Sequence, residues 1–156
     1  MNTLLVRCTV AGLAAAGAAL LVGMSAVHPR DAGHVAPDGE EVYMHNCMDC
    51  HQDGTGTPDT APPLDGAPWV QGEPERLVRI VLHGLVGEVV VDGTTYNGVM
   101  PGWRNLLDDE EIAAVLSYIR SSWSNDAARI TPAEVAAIRA ATADRTQPWT
   151  VEELED

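Results

Sequence analysis

Apolar positions divide the chain into stretches of different kinds. From Cys8 to Val27 they run without a break except at Thr9 and Ser25, and from Gln52 to Gln71 they are sparse among Gly, Pro, Thr and Asp. The second stretch predicts an irregular loop that its own side chains cannot order. Elsewhere they recur at helical spacing. Leu77, Ile80 and Val81 follow Glu73-Pro74-Glu75 and stop at Gly84, which predicts a helix with Pro in its first turn. Ile112, Val115, Leu116 and Ile119 predict a longer helix from Asp109 to about Ser122, with Asp108 and Glu111 placed as a capping box and Trp123 extending the same face. Val135 and Ile138 form the weak apolar face of a third, opened by Thr131-Pro132-Ala133-Glu134 and ending near Thr142. Asp38, with Glu40 and Glu41 behind it, starts a helix that runs into Cys47. Between Glu88 and Gly98, Asp92-Gly93 set among β-formers predicts a small hairpin.

These elements define one all-α domain of three to four helices. Residues 38–124 carry it, and residues 28–37 form a linker without periodicity. The apolar segment at residues 1–27, with Arg7 ahead of the run, predicts export as a signal peptide or membrane anchor. Its length reaches that of a spanning helix, which favours the anchor, whereas cleavage has only mediocre sites ending at Ser25 or Ala26. Residues 125–156 are an extension with a short helix and an acidic tail. From Asp144 onward its composition predicts loose docking or none, despite Trp149.

Composition adds two constraints. Aromatic residues make up 4% of the chain and Phe is absent, which is poor for filling an interior at native density and which a large apolar cofactor could make up. The formal net charge is −14, and all 9 basic residues are Arg. Such a surface excludes nucleic acid as a partner, since phosphate neutralisation needs clustered cations.

The chemistry concentrates at Cys47-Met48-Asp49-Cys50-His51. In C-x-x-C-H two thiols stand one helical turn apart and add to the two vinyl groups of a haem, and the adjacent imidazole meets the iron. Three rivals remain for the same residues. A thioredoxin-like dithiol needs a βαβ context, a zinc site needs further ligands for which only His45 and His83 are at hand, and a structural disulfide needs no partner at all. Cys8 falls in the apolar segment and reads as a buried small hydrophobe. For the second axial position Met100 stands out, because it sits in a turn next to Pro101 and between Gly98 and Gly102 and not on an apolar stripe. His83 is its rival. Trp69, Tyr96, Asn97 and Trp103 are candidates for haem contact, and Arg79 and Arg104 for its propionates.

Gly39-x-x-x-Tyr43-x-x-x-Cys47-x-x-Cys50-His51, then Pro62-x-Leu64-x-Gly66, then Tyr96 through Trp103 together resemble the small His/Met c-type cytochromes, over about Asp38 to Trp123. The resemblance implies the cytochrome c fold around one haem c, bound covalently at Cys47 and Cys50, with His51 and Met100 on the iron and the Pro62 carbonyl on the proximal imidazole. It also implies that the terminal helices cross, with Gly39 and Tyr43 against Tyr118 and Ile119. The activity implied is single-electron transfer and not enzymatic turnover: a carrier, free or as the haem subunit of a larger complex. Its redox partners would be a dehydrogenase donor and an oxidase or cytochrome acceptor at the periplasmic side, with inner-membrane association if the anchor is retained. A haem enzyme or gas sensor with a displaceable Met100 is the alternative.

Overall fold

The computed structural model describes residues 35–155. The apolar segment that predicts export, together with Cys8, lies outside the described residues. Among those described, no helix is long and apolar enough to cross a membrane.

Helices dominate. In chain order they are α1 (Gly39–Asn46), α2 (Met48–His51), α3 (Pro68–Gln71), α4 (Pro74–His83), α5 (Asp109–Ser121), α6 (Pro132–Ala141) and α7 (Val151–Glu155). Between α4 and α5 lie four short strands: β1 (Gly84–Leu85), β2 (Val89–Val91), β3 (Thr94–Tyr96) and β4 (Met100–Pro101). The predicted hairpin is β2 with β3, closed at Asp92-Gly93, where both residues take positive φ (50° and 77°) as a tight two-residue hairpin turn requires. The β1–β4 pair, with Leu85 opposite Met100, is an addition to the all-α expectation. The short helices α2, α3 and α7, each of one turn or little more, add to the three to four helices expected.

The caps form as the sequence predicts. Asp108 Oδ1 accepts from the backbone of Glu110 and Glu111 while Glu111 accepts from the Asp108 amide. Thr131 and Glu134 reproduce that arrangement at α6, and Asp38 caps α1. The apolar stripe of α5 is fully internal, with Ile112, Val115 and Leu116 buried against Val78 and Leu82 of α4 and Val135 of α6. At the other face α1 crosses α5. Gly39 permits that approach, and Tyr43, which is 1% exposed, meets the Tyr118 ring at a centroid distance of 5.5 Å.

The extension corrects one expectation. Ile130, Val135 and Leu154 are buried, and the tail is seated on the domain: the Trp149 amide donates to the Gly84 carbonyl and the Val86 amide donates to that of Trp149. Composition alone misreads this tail, because what holds it is this backbone pairing together with the Arg79 guanidinium over the Trp149 ring, with Arg145 of the tail itself over the same ring.

Arg120 is the charged residue deepest in the domain. Its guanidinium donates to the carbonyls of Val70, Gly72 and Ala128, so α5 fixes both α3 and the start of the extension, and burial lowers its pKa.

Candidate functional site

The chain breaks direction at Cys47, which ends α1 and starts α2. One turn of α2 then presents Cys50 and His51, with the His51 amide donating to the Cys47 carbonyl. Both thiols are free, Cys47 half-buried and Cys50 exposed. Burial, reinforced by Cys50, pushes the Cys47 thiol up to about 11.

The His51 ring is oriented by one bond. Its Nδ1 lies 3.1 Å from the Pro62 carbonyl oxygen, and because that oxygen can only accept, Nδ1 carries the proton. Nε2 is left with its lone pair. Burial lowers the His51 pKa against the opposing pull of the Pro62 carbonyl, which keeps the ring neutral near pH 7. The approach of Pro62 depends on Gly56 (φ 75°), where a Cβ would stand 2.4 Å from the Ala61 carbonyl oxygen and 2.8 Å from that of Pro62.

Cys47, Cys50, His51, Pro62 and Met100 all border a single cavity of about 330 Å³. Its walls are largely apolar, from Leu64 and Ala67 of the loop, Leu77 and Val81 of α4, and Leu116 and Ile119 of α5. The thioether of Met100 comes in from β4, whose backbone is pressed against neighbouring chain: a Cβ on Gly98 would stand 2.1 Å from the Thr60 carbonyl oxygen, and one on Gly102 would stand 2.7 Å from the His83 carbonyl carbon.

The other candidates separate. Trp69, Tyr96 and Trp103 border the cavity; Asn97 does not. His83 is turned away: Thr142 Oγ1 donates to the Ile138 carbonyl, so at 2.7 Å it accepts from His83 Nε2. Arg79 pairs with Glu75, and Arg104 donates to the carbonyls of Ala143 and Arg145. Neither borders the cavity, and among the described residues no Arg lines it. The His45 ring bonds the Glu41 carbonyl, and among the described residues no group of three or more His, Cys, Asp or Glu gathers as a metal cage, which leaves the zinc reading without ligands.

Paired thiols, an oriented neutral imidazole and a thioether around one apolar cavity fit a covalently attached haem. The family described as cytochrome C oxidase, cbb3-type, subunit III matches residues 34–119, more than half of the chain. The chain belongs to this family of c-type cytochromes. Cytochrome c-552 of Thermus thermophilus is 42% identical over 93 residues, which cover 56% of this cytochrome and 70% of that protein. The cytochrome c subunit of a quinone alcohol dehydrogenase from Gluconobacter oxydans is 41% identical over 92 residues, 57% of this chain and 19% of that subunit. The gluconate 2-dehydrogenase cytochrome c subunit of Pantoea cypripedii is 37% identical over 118 residues, 69% of this chain and 25% of its own length. The cytochrome thus spans most of the Thermus protein but a quarter or less of the dehydrogenase subunits. It binds haem c covalently, and its role is electron transfer and not enzymatic turnover.

Proposed function

We propose that Cys47 and Cys50 form the two thioether links to haem c, that His51 Nε2 and the Met100 sulfur are the axial ligands, and that the protein passes single electrons between redox partners outside the cytoplasm. The orientation of His51 carries this reading. A proton fixed on Nδ1 by the Pro62 carbonyl leaves one lone pair for iron, and Met100 borders the same cavity.

When bound, haem c supplies one iron that alternates between Fe(III) and Fe(II), with a potential set by its ligands over a range of about 0.8 V. The side chains do the rest. The Pro62 carbonyl raises the basicity of His51 and holds its ring plane. Met100, as an uncharged soft donor, favours the reduced state. Leu64, Leu77, Val81 and Leu116 exclude water, which sharpens that preference. Were His51 and Met100 both to ligate the iron, the chain would leave no coordination site for oxygen or peroxide.

The apolar run at residues 8–27 supports export and attachment at the periplasmic face of the inner membrane. Relatives that are cytochrome c subunits of dehydrogenases, and one that is the cbb3-type oxidase subunit FixP, support a dehydrogenase as donor and an oxidase or second cytochrome as acceptor.

Replacing Met100 by His tests the axial assignment. The variant retains its covalent haem, loses the thioether-to-iron absorption band and shifts to a substantially lower midpoint potential. An unchanged band and potential would reject Met100 as a ligand. Carbon monoxide added to the reduced wild-type protein at neutral pH should bind slowly or not at all.

A further inference from the structure

The strand paired with Met100 is held from behind by the carboxy-terminal extension. Leu85 pairs with Met100 on one side and with Trp149 on the other, where the Trp149 amide donates to the Gly84 carbonyl at 3.0 Å and the Val86 amide donates to Trp149 at 2.9 Å. A two-residue antiparallel pair such as β1–β4 is marginal by itself. The tail adds a bridge at Trp149 along the other edge of β1.

Trp149 is fastened in turn. The Arg145 guanidinium carbon lies 3.5 Å from its ring centroid and that of Arg79 lies 5.3 Å away. Arg145 is fixed by both oxygens of Glu153 and by the carbonyls of Gln147 and Pro148. The extension also grips the chain just past Met100. Arg104 donates to the carbonyls of Ala143 and Arg145, and Arg139 donates to those of Arg104 and Leu107. The segment bearing the thioether is therefore tied to the extension on both sides.

We infer that residues 142–149 are a positioning strap for Met100, with Trp149 as its anchor and Arg145 as its fastener. The inference rests on the reading of Met100 as an axial ligand. Its physical content is a population: an outside ligand reaches the iron only in the fraction of molecules whose Met100 segment has swung away, so its apparent affinity scales with that fraction. Loosening the strap raises the fraction without touching either thiol or His51.

The test is imidazole titration of the oxidised, haem-loaded full chain, followed by absorption. Trp149→Ala should bind imidazole about tenfold more tightly, the effect expected from losing a partly buried cation–π anchor, and its thioether-to-iron band should weaken. Trp149→Phe, which keeps a ring for Arg145, should recover most of the difference, and Arg145→Gln should fall between. Should Trp149→Ala not accumulate, Arg145→Gln carries the test, because the ring and backbone of Trp149 remain. Val135→Ala, a buried change in α6 away from Met100, should destabilise the protein and leave imidazole affinity at the wild-type value. Equal affinity for wild type, Trp149→Ala and Arg145→Gln overturns the strap, as does an equal increase in Val135→Ala. In a Met100→Ala background the Trp149 substitution should add nothing. If Met100→Ala itself keeps the wild-type band and affinity, the axial reading falls, and that outcome is distinct from failure of the strap alone.

Discussion

Gly39 of α1 lies so close to Ala114 of α5 that a Cβ at residue 39 would stand 2.3 Å from the Ala114 carbonyl oxygen. The atom in the way is backbone, so no rotamer change relieves the contact. Gly39→Ala gains at most about 1 kcal/mol of helix propensity. The forced separation of two packed helices costs about 1–3 kcal/mol. The variant should therefore show a net loss of up to about 2 kcal/mol, seen as an earlier urea midpoint in haem-loaded protein.

Gly56 governs the proximal ring. Its positive φ and its contact with the Ala61 and Pro62 carbonyls leave no room for a side chain. Gly56→Ala should cost about 2 kcal/mol through strain and displaced backbone. It should also move the midpoint potential, because the Pro62 carbonyl that orients His51 shifts. A stability loss with an unaltered potential would show that the Pro62 bond does not tune the iron.

Arg120 tests the junction of α3, α5 and the extension. Its three carbonyl acceptors lose their donor together in Arg120→Ala, at a cost of about 3 kcal/mol. Arg120→Lys should recover only part of this, since a single ammonium does not match the spread of acceptors.

Protonation of His83 should make the protein sensitive to mild acid. Burial lowers its pKa below the ordinary 6.5, and nearby Arg104, Arg145 and Arg139 lower it further. The ring is thus harder to protonate folded than unfolded. Its contribution to stability is complete above pH 6.5 and is lost progressively as pH falls below that value towards the lowered pKa. Asp65, Glu134 and Glu153 also have lowered values, but their windows open only below the ordinary carboxylate range. Thermal midpoints of the haem-loaded protein should decline between pH 7 and pH 5, and His83→Gln should flatten that decline. Parallel slopes in the two proteins would assign the acid sensitivity elsewhere.

Much of this fold can be read from residues. The stripe of α5, the Asp108–Glu111 and Thr131–Glu134 boxes, the Asp92-Gly93 turn and the helix leading into Cys47 all depend on neighbours within a few positions, and all appear where their local chemistry places them. The convergence of Cys47, His51, Pro62 and Met100 on one cavity was legible through the motif pattern and not through periodicity. What escaped depends on distant partners. Trp149 sits in a tail that looks unanchored until Arg79, 70 positions earlier in the chain, is found over its ring. Arg104 is a second case: a sequence shows that a guanidinium is present but not that it meets the carbonyls of Ala143 and Arg145, 39 and 41 positions further on.

The side-chain amide of Asn125 joins segments far apart in the chain: its Nδ2 donates to the carbonyls of Leu64 and Ile119, and its Oδ1 accepts from the Gly66 amide. Deuterium should consequently replace the Gly66 proton only in excursions that also release the carboxy-terminal end of α5. Protection at Gly66 should track that of the Ile119 turn, and Asn125→Ala should uncouple the two, leaving the glycine amide fast while the helix stays slow.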